Sequence, residues 1–324
     1  MTIFITGGSG IIGRALVRRL VSEGNTVRAL ARSSEAASTL RLLGAAPVEG
    51  DLTDVPALIE GMRGSLAVFH VAGVNAMCLT DPTPMYKANV DGTRNVVRAA
   101  NAAGIPRLVY TSSAVVLGEE QGEAANERSM HRGFVLSHYE RSKALAEQVA
   151  FSEAGAVEVV AVNPSSVQGP GRATGTGKLI LDVLNGDLRV LVDATVSIVD
   201  IDDCVEGHVL ALRRGVAGER YILSGFTMST RAAVSLLERV TDRSFSLRFV
   251  PAAAASIGGG IAQIGSRLRR RQAPLCREMV RVLRHGHIYD GSRATRELGL
   301  EYRSAVDTLR RTTEWFRSEG LLRG

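Results

Sequence analysis

The first 225 residues alternate short, nearly continuous apolar runs with amphipathic stretches, and that alternation decides which class of fold is open to the chain. The runs are Thr2–Thr6, Thr26–Ala31, Ala46–Val48, Ala67–Val71, Arg107–Thr111, Val157–Val162, Thr195–Val199 and Arg220–Leu223. Short runs of this kind suit parallel strands buried on both faces. Between them the periodicity predicts helices over Ile11–Glu23, Ser34–Leu43, Pro56–Met62, Met85–Ala103, His138–Glu153 and Asp203–Arg214, with Gly24, Gly44 and Gly104 as terminating glycines. The alternation predicts a doubly wound α/β fold. Residues 165–190 and 226–324 break the pattern, with helical periodicity at Arg231–Thr241, Gly260–Arg271, Arg277–Val282 and Ser304–Glu319. They are expected to form a smaller, mostly helical substrate lobe over the carboxyl ends of the strands. Residues 1–164 and 191–225 then make the sheet domain, and Ala252–Gly260 reads as a flap.

The first run ends in Thr6-Gly7-Gly8-Ser9-Gly10-Ile11-Ile12-Gly13 and a helix follows at once. Gly7 permits a tight turn, Gly10 lets a pyrophosphate approach the backbone, and Gly13 lets the helix pack on its strand. The helix N-terminus, from Ser9 through Ile11 and Ile12, offers unpaired N–H groups and the positive end of a dipole. The context of strand before and helix after turns a weak motif into a dinucleotide site of the Rossmann type. At the end of the second run an NAD-type site wants a carboxylate for the ribose 2′-OH, and Leu30-Ala31-Arg32-Ser33-Ser34 has none. Arg32 and Ser33 suit a 2′-phosphate instead, so the expected cofactor is NADP, with NAD as the alternative. Asp51 and Leu52, past the third run, are placed at the adenine; an Asp there is equally a helix N-cap.

Composition narrows the function. A chain that is 45% hydrophobic and 22% charged is neither disordered nor fibrous. Its apolar runs are too short to span a bilayer, and it opens without a signal peptide's pattern. The three cysteines, Cys78, Cys204 and Cys276, are odd in number and widely spaced, so neither a disulfide framework nor a zinc site is expected, and a cytoplasmic setting is. The net charge of +6 is dispersed arginine, without a nucleic-acid module, apart from Arg267–Arg271. That basic segment fits a weak membrane-surface contact or a partner site; a solvated helix end is the preferred reading. Only Lys87, Lys143 and Lys178 are lysines, against 36 arginines, so each lysine asks for a reason.

Lys143 has one. Tyr139-Glu140-Arg141-Ser142-Lys143 puts a phenol and an ammonium one helical turn apart. An ammonium nearby favours tyrosinate and brings a phenol toward general acid/base work. Tyr110-Thr111-Ser112-Ser113 closes the fifth run, where strand-end hydroxyls face the ligand crevice and can hold a substrate oxygen.

Taken together, TGGSGIIG at 6–13, DL at 51–52, FHVAG at 69–73, NVDGTRNV at 89–96, VYTSSAVVLG at 109–118, YERSK at 139–143, VNPSSVQGP at 162–170 and VDIDDCVEGH at 199–208 resemble the extended short-chain dehydrogenase/reductase superfamily, the NAD-dependent epimerase/dehydratase type. A family-like GSRATRELGLEYR follows at 291–303. Within the superfamily the chain is most similar to the dihydroflavonol-4-reductase-like branch, which includes ketone and aldehyde reductases, 3β-hydroxysteroid dehydrogenase relatives and hopanoid-associated sugar epimerase-like proteins. The resemblance implies that Tyr139 is the general acid/base, Lys143 its partner and a ribose ligand, and Ser113 the substrate-holding serine. It implies that Phe69–Ala72, with Val71 and Ala72, line the adenosine side, and that Asn163–Val167, with Pro164, Ser166 and Val167, meet the nicotinamide. Asn89, Asp202 and Asp203 match positions that are mostly structural. A homodimer through residues 85–103 and 138–153 is also implied.

Nucleotide-sugar members carry a cation or aromatic before the VDIDD-type segment, and Val192–Asp200 holds neither. The expected substrate is therefore a small, fairly hydrophobic ketone, aldehyde or alcohol. A sugar epimerase or dehydratase, and a non-catalytic NADP-sensing regulator, remain the alternatives. His138 reads as a capping or solvated residue, and His70 and His208 as core or surface histidines. His131, His285 and His287 have no metal spacing, so no metal is expected. Lys178 could meet an anionic substrate.

Overall fold

The computed structural model describes residues 1–251 and 276–323. The chain runs β1 (Thr2–Thr6), α1 (Ile11–Ser22), β2 (Thr26–Ala31), α2 (Ser34–Leu42), β3 (Ala46–Glu49), α3 (Val55–Met62) and β4 (Ala67–His70). A short α4 (Thr83–Tyr86) passes through a π turn, Lys87–Asp91, into α5 (Gly92–Ala102). Next come β5 (Arg107–Thr111), β6 (Ala124–Ala125), α6 (His138–Ser152), β7 (Glu158–Pro164), β8 (Ser166–Gln168), α7 (Thr176–Leu184) and β9 (Val190–Asp193). The remainder is β10 (Thr195–Asp200), α8 (Ile201–Arg214), β11 (Arg220–Leu223), β12 (Phe226–Ser229), α9 (Thr230–Thr241), β13 (Arg248–Pro251), α10 (Arg277–His285), β14 (Ile288–Tyr289) and α11 (Ala305–Ser318). The flap at Ala252–Gly260, the helix at Gly260–Arg271 and the basic segment Arg267–Arg271 lie outside the described residues.

Seven parallel strands form the main sheet in the order β11-β7-β5-β4-β1-β2-β3. The chain winds outward from β1 through β2 to β3, then returns to β4 and winds the other way. The carboxyl ends of β1 and β4 therefore part at a switch point, where open α/β sheets bind ligands. One face of the sheet packs on Leu16, Val17 and Leu20 of α1, Leu40 of α2 and Val205 and Val209 of α8. The other packs on Leu58 and Met62 of α3, Val96 and Val97 of α5 and Ala146 and Ala150 of α6. Both faces are covered, which is why the central strands carry no polar alternation. Side-chain N-caps at Ser33, Asp54, Ser137 and Asp200 start α2, α3, α6 and α8.

Three features differ from the expectation. The run at 195–200 is a strand, but β10 joins β8 in parallel and β12 antiparallel in a separate three-stranded sheet. The helix expected over 85–103 is broken by the π turn, which buries Asn89. Asn89 accepts from Val74 N at 2.7 Å and donates to Val74 O at 3.0 Å and Ser142 Oγ at 2.9 Å. Finally, Cys78 and Cys276 form a disulfide across 198 residues, with Cα atoms 5.7 Å apart. The pairing was invisible in the spacing because the fold, and not the local sequence, brings the loop after β4 to the start of α10. No helix among the described residues is long and apolar enough to cross a membrane.

Candidate active site

The carboxyl ends of β1 and β4 meet through backbone. Gly7 has φ +75°, and a Cβ there would lie 2.5 Å from Ala72 N. A Cβ on Gly13 would lie 2.0 Å from Gly7 O, so α1 can start this close to β1 only with glycine. Ala72 N donates to Thr6 Oγ1 at 3.3 Å, which fixes Val71 and Ala72 against the loop. Gly10 caps α1 without a side chain and the first turn carries no acid. The amides of Ile11, Ile12 and Gly13 have no bonded partner among the described residues, and Ser9 lies beside them. This cradle of free donors at the positive end of a helix fits a pyrophosphate.

Arg32 is exposed at the end of β2 and forms no ion pair among the described residues. Ser33 accepts from Ala36 N at 3.2 Å as the cap of α2. Asp51 accepts from Thr53 N and Oγ1, both at 2.6 Å, and these bonds hold its carboxyl below the usual range. The cap of α3 is Asp54 rather than Asp51. Leu52 packs over Gly92 of α5.

Ser113, Tyr139 and Lys143 come together at the end of β5. The Lys143 ammonium is buried, donates to Thr111 O at 2.7 Å, and lies 4.5 Å from the Tyr110 ring centre. Burial lowers its pKa to about 7, against the raising effect of Glu147 one turn on. Burial pushes the half-buried Tyr139 phenol up, while a hydrogen bond from Ser113 and the charge of Arg172 pull it down. The cation bearing on the phenol is therefore Arg172, and Lys143 is directed to the carbonyl of β5. Asn163 on β7 closes the arrangement by donating to Ser113 O at 3.2 Å and Glu147 Oε2 at 2.7 Å. Pro164 and Val167 continue from it, both buried, with Ser166 between them part-buried.

Arg172, on the loop before α7, stands near the phenol without belonging to any of the motifs above. Lys178 is exposed and paired with Asp182 at 2.6 Å, away from any such role. His70 bridges Thr6 Oγ1 at 2.6 Å and Thr93 Oγ1 at 3.0 Å; burial depresses it to about 3. His208 bridges Thr111 Oγ1 at 2.8 Å and Cys204 O at 2.6 Å; burial depresses it to about 4. Both are neutral core histidines. His138 meets Tyr86 Oη at 3.1 Å on the surface. His285 and His287, in contrast, converge with buried Glu119, whose Oε1 lies 3.6 Å and 2.5 Å from their nearest nitrogens. The three offer ligand atoms within 4.8 Å of one another, a grouping that linear spacing could not show. Asp203 pairs with Arg303, and Asp200 with Arg311 at 3.1 Å, so this acidic run anchors the C-terminal segment.

Comparison with known proteins adds the ancestry. A Synechocystis sp. protein named "Putative dihydroflavonol 4-reductase" is 33% identical over 99% of this chain and 96% of its own length. Sterol demethylase protein B of Methylococcus capsulatus is 31% identical over 99% and 100%. The 2-alkyl-3-oxoalkanoate reductase of Stenotrophomonas maltophilia is 33% identical over 92% and 94%. Among solved structures, that of gox2253 superposes with a TM-score of 0.87 at 31% identity, covering 99% of each chain. A nucleoside-diphosphate-sugar epimerase of Pseudomonas aeruginosa, with a TM-score of 0.80 at 22% identity over 100% of this chain and 99% of its own, shares the fold. The description of the NAD dependent epimerase/dehydratase family matches residues 3–224. The chain belongs to that family and is an NAD(P)-dependent enzyme of the extended short-chain dehydrogenase/reductase type.

Proposed function

We propose that the protein is an NADP(H)-dependent oxidoreductase that interconverts a ketone or aldehyde and an alcohol on a small, fairly hydrophobic substrate. The observation that carries this reading is the convergence of Ser113, Tyr139 and Lys143 at the end of β5, next to the β1–β4 switch point. The nicotinamide supplies the hydride when bound. Tyr139 gives a proton to the carbonyl oxygen, and Ser113 donates a hydrogen bond to the same oxygen. Lys143 holds ribose hydroxyls, and the charge of Arg172 favours the tyrosinate left behind. The glycine loop and α1 take the pyrophosphate, Arg32 the 2′-phosphate, and Asp51 and Leu52 the adenine. Residues 165–190 and 226–324 form the substrate side in this reading, and α5 and α6 the contact of a homodimer, which light scattering reads.

Two facts support an apolar substrate. A cavity of about 90 Å³ lies between α7, α9 and the β8-β10-β12 sheet, walled by Leu179, Val183, Leu191, Val196, Phe226 and Leu237. Relatives carry reductase names whose substrates bear alkyl or farnesyl groups. The test is a turnover screen with NADPH and NADH against ketone, steroid and nucleotide-sugar panels. We expect consumption of NADPH with apolar ketones; turnover confined to nucleotide sugars, with no net cofactor consumed, overturns the reading. Arg32→Ala should weaken NADPH at least tenfold more than NADH, and an equal effect on both removes Arg32 from the 2′-phosphate.

A further inference from the structure

Among the described residues no carboxylate pairs with the part-buried Arg172. Its stem is clamped by two glycines: a Cβ on Gly177 would lie 2.9 Å from Arg172 Cγ, and one on Gly175 3.2 Å from Arg172 Nη2. Nε is sealed from solvent and makes no hydrogen bond. No carboxylate among the described residues bears on its charge; the groups that do are the Tyr139 phenol and the Cys204 thiol. A desolvated guanidinium without an anion is costly, and chains retain one where a ligand supplies the anion. Arginine is also the cation whose planar fork matches a carboxylate.

The apolar cavity starts on the same loop. Thr176 opens α7 four residues beyond Arg172 and lines the cavity with Ser166 and Gln168. Gln168 donates to Thr176 Oγ1 and, at 3.3 Å, to Ser166 Oγ, while its own Oε1 is buried without a partner. Ser166 stands three residues after Asn163, the residue that holds the Ser113 carbonyl. The stretch from Asn163 to Thr176 thus carries a residue that holds the Ser113 carbonyl, the polar rim of the chamber and, between them in sequence, the cation whose charge acts on the Tyr139 phenol.

We infer that the substrate is an amphipathic oxo acid, its carboxylate held by Arg172, its carbonyl at Tyr139 and Ser113, and its alkyl tail in the cavity between α7, α9 and β10. This deepens the reductase reading and rests on it. In the reduction, two electrons and one proton pass to the carbonyl carbon as hydride from NADPH, and a second proton reaches the oxygen from Tyr139. The carboxylate is not consumed.

The test uses the full chain and its Arg172→Met variant with 3-oxodecanoate and its methyl ester, which differ in the charge that Arg172 would read. Wild type should favour the acid at least tenfold in kcat/KM, mainly through KM, and the acid-to-ester ratio should fall at least tenfold in Arg172→Met. Arg172→Lys should recover part of the ratio. Equal use of acid and ester by wild type overturns the inference and leaves the reductase reading standing. Loss in Arg172→Met of NADPH affinity, with the acid-to-ester ratio unchanged, also overturns it. A parallel calorimetric titration of NADP⁺-loaded protein with decanoate and methyl decanoate separates the two readings. Tighter decanoate binding that disappears in Arg172→Met, without turnover of either oxo compound or of any ketone or steroid in the panels, upholds the carboxylate site and sinks the reductase reading. No preference in binding or turnover sinks the site.

Discussion

At the scale of single residues, the chemistry depends on how far each group is removed from water. Lys143 is the clearest case. Its folded pKa of about 7 lies below the ordinary lysine value of 10.5, because burial penalises the ammonium. Below pH 7 the charge is present in both folded and unfolded states and opposes folding in full. The opposition fades as pH rises from about 7 to 10.5, where the folded form sheds its proton first. Lys143→Met should therefore gain Tm relative to wild type by more at pH 6 than at pH 9; a difference independent of pH would contradict the burial argument. The same substitution should abolish turnover. Tyr139→Phe keeps the ring and its packing but removes the proton donor, so kcat should drop by roughly 10²–10⁴ while NADPH still quenches protein fluorescence. The grouping of Ser113, Tyr139 and Lys143 was legible because Tyr139 and Lys143 are one turn apart and Ser113 follows closely on a strand end. The placing of Arg172 beside the phenol was not, because which of 36 arginines comes near Tyr139 is decided by the folded surroundings.

At the scale of elements, glycine spacing controls how closely α1 approaches β1 and β4. The three loop glycines do different things, and substitution should separate them. Gly13→Ala drives a methyl into Gly7 O and should cost about 1–3 kcal/mol in chemical unfolding, from overpacking. Gly10→Ala meets only Gly7 O, at 3.2 Å, and adds a methyl at the N-cap of α1, where the pyrophosphate is proposed to approach, so it should fold and lose cofactor affinity. A Gly10→Ala protein that binds NADPH as wild type does would move the pyrophosphate off this loop. The sheet strands were readable because seven buried parallel strands leave continuous apolar runs. The short strands β8, β9, β12, β13 and β14 were not, since each carries few residues and a mixed pattern set by its pairing. The π turn was equally hidden: its cause is Asn89 reaching Val74 and Ser142, contacts 15 and 53 residues away.

At the scale of the whole molecule, stability should depend on acid in a way that follows from two histidines at the sheet's carboxyl edge. His70 and His208 are fully buried, each bonded through both ring nitrogens, and held near 3 and 4 against an ordinary 6.5. In the unfolded chain both take up protons as pH falls through about 6.5, whereas the folded chain stays neutral until far lower. The unfolded state then binds more protons, so stability falls with pH across the window from about 6.5 to 4. Two protons give a limiting slope of about 2.7 kcal/mol per pH unit near pH 5. Buried Glu140 and Asp203 and part-buried Glu127 work in the opposite sense, because desolvation raises them and the folded state binds their protons first. The histidines are separated from this background by His70→Asn, which titrates nowhere in the window. The variant should be less stable than wild type at pH 7, where it loses a bond to Thr6 or Thr93, yet its stability should fall less steeply toward pH 4.5. The measurement is urea unfolding at a series of pH values. Equal slopes for wild type and variant would mean that His70 takes up its proton as readily in the folded protein as in the unfolded one, against its burial between Thr6 and Thr93.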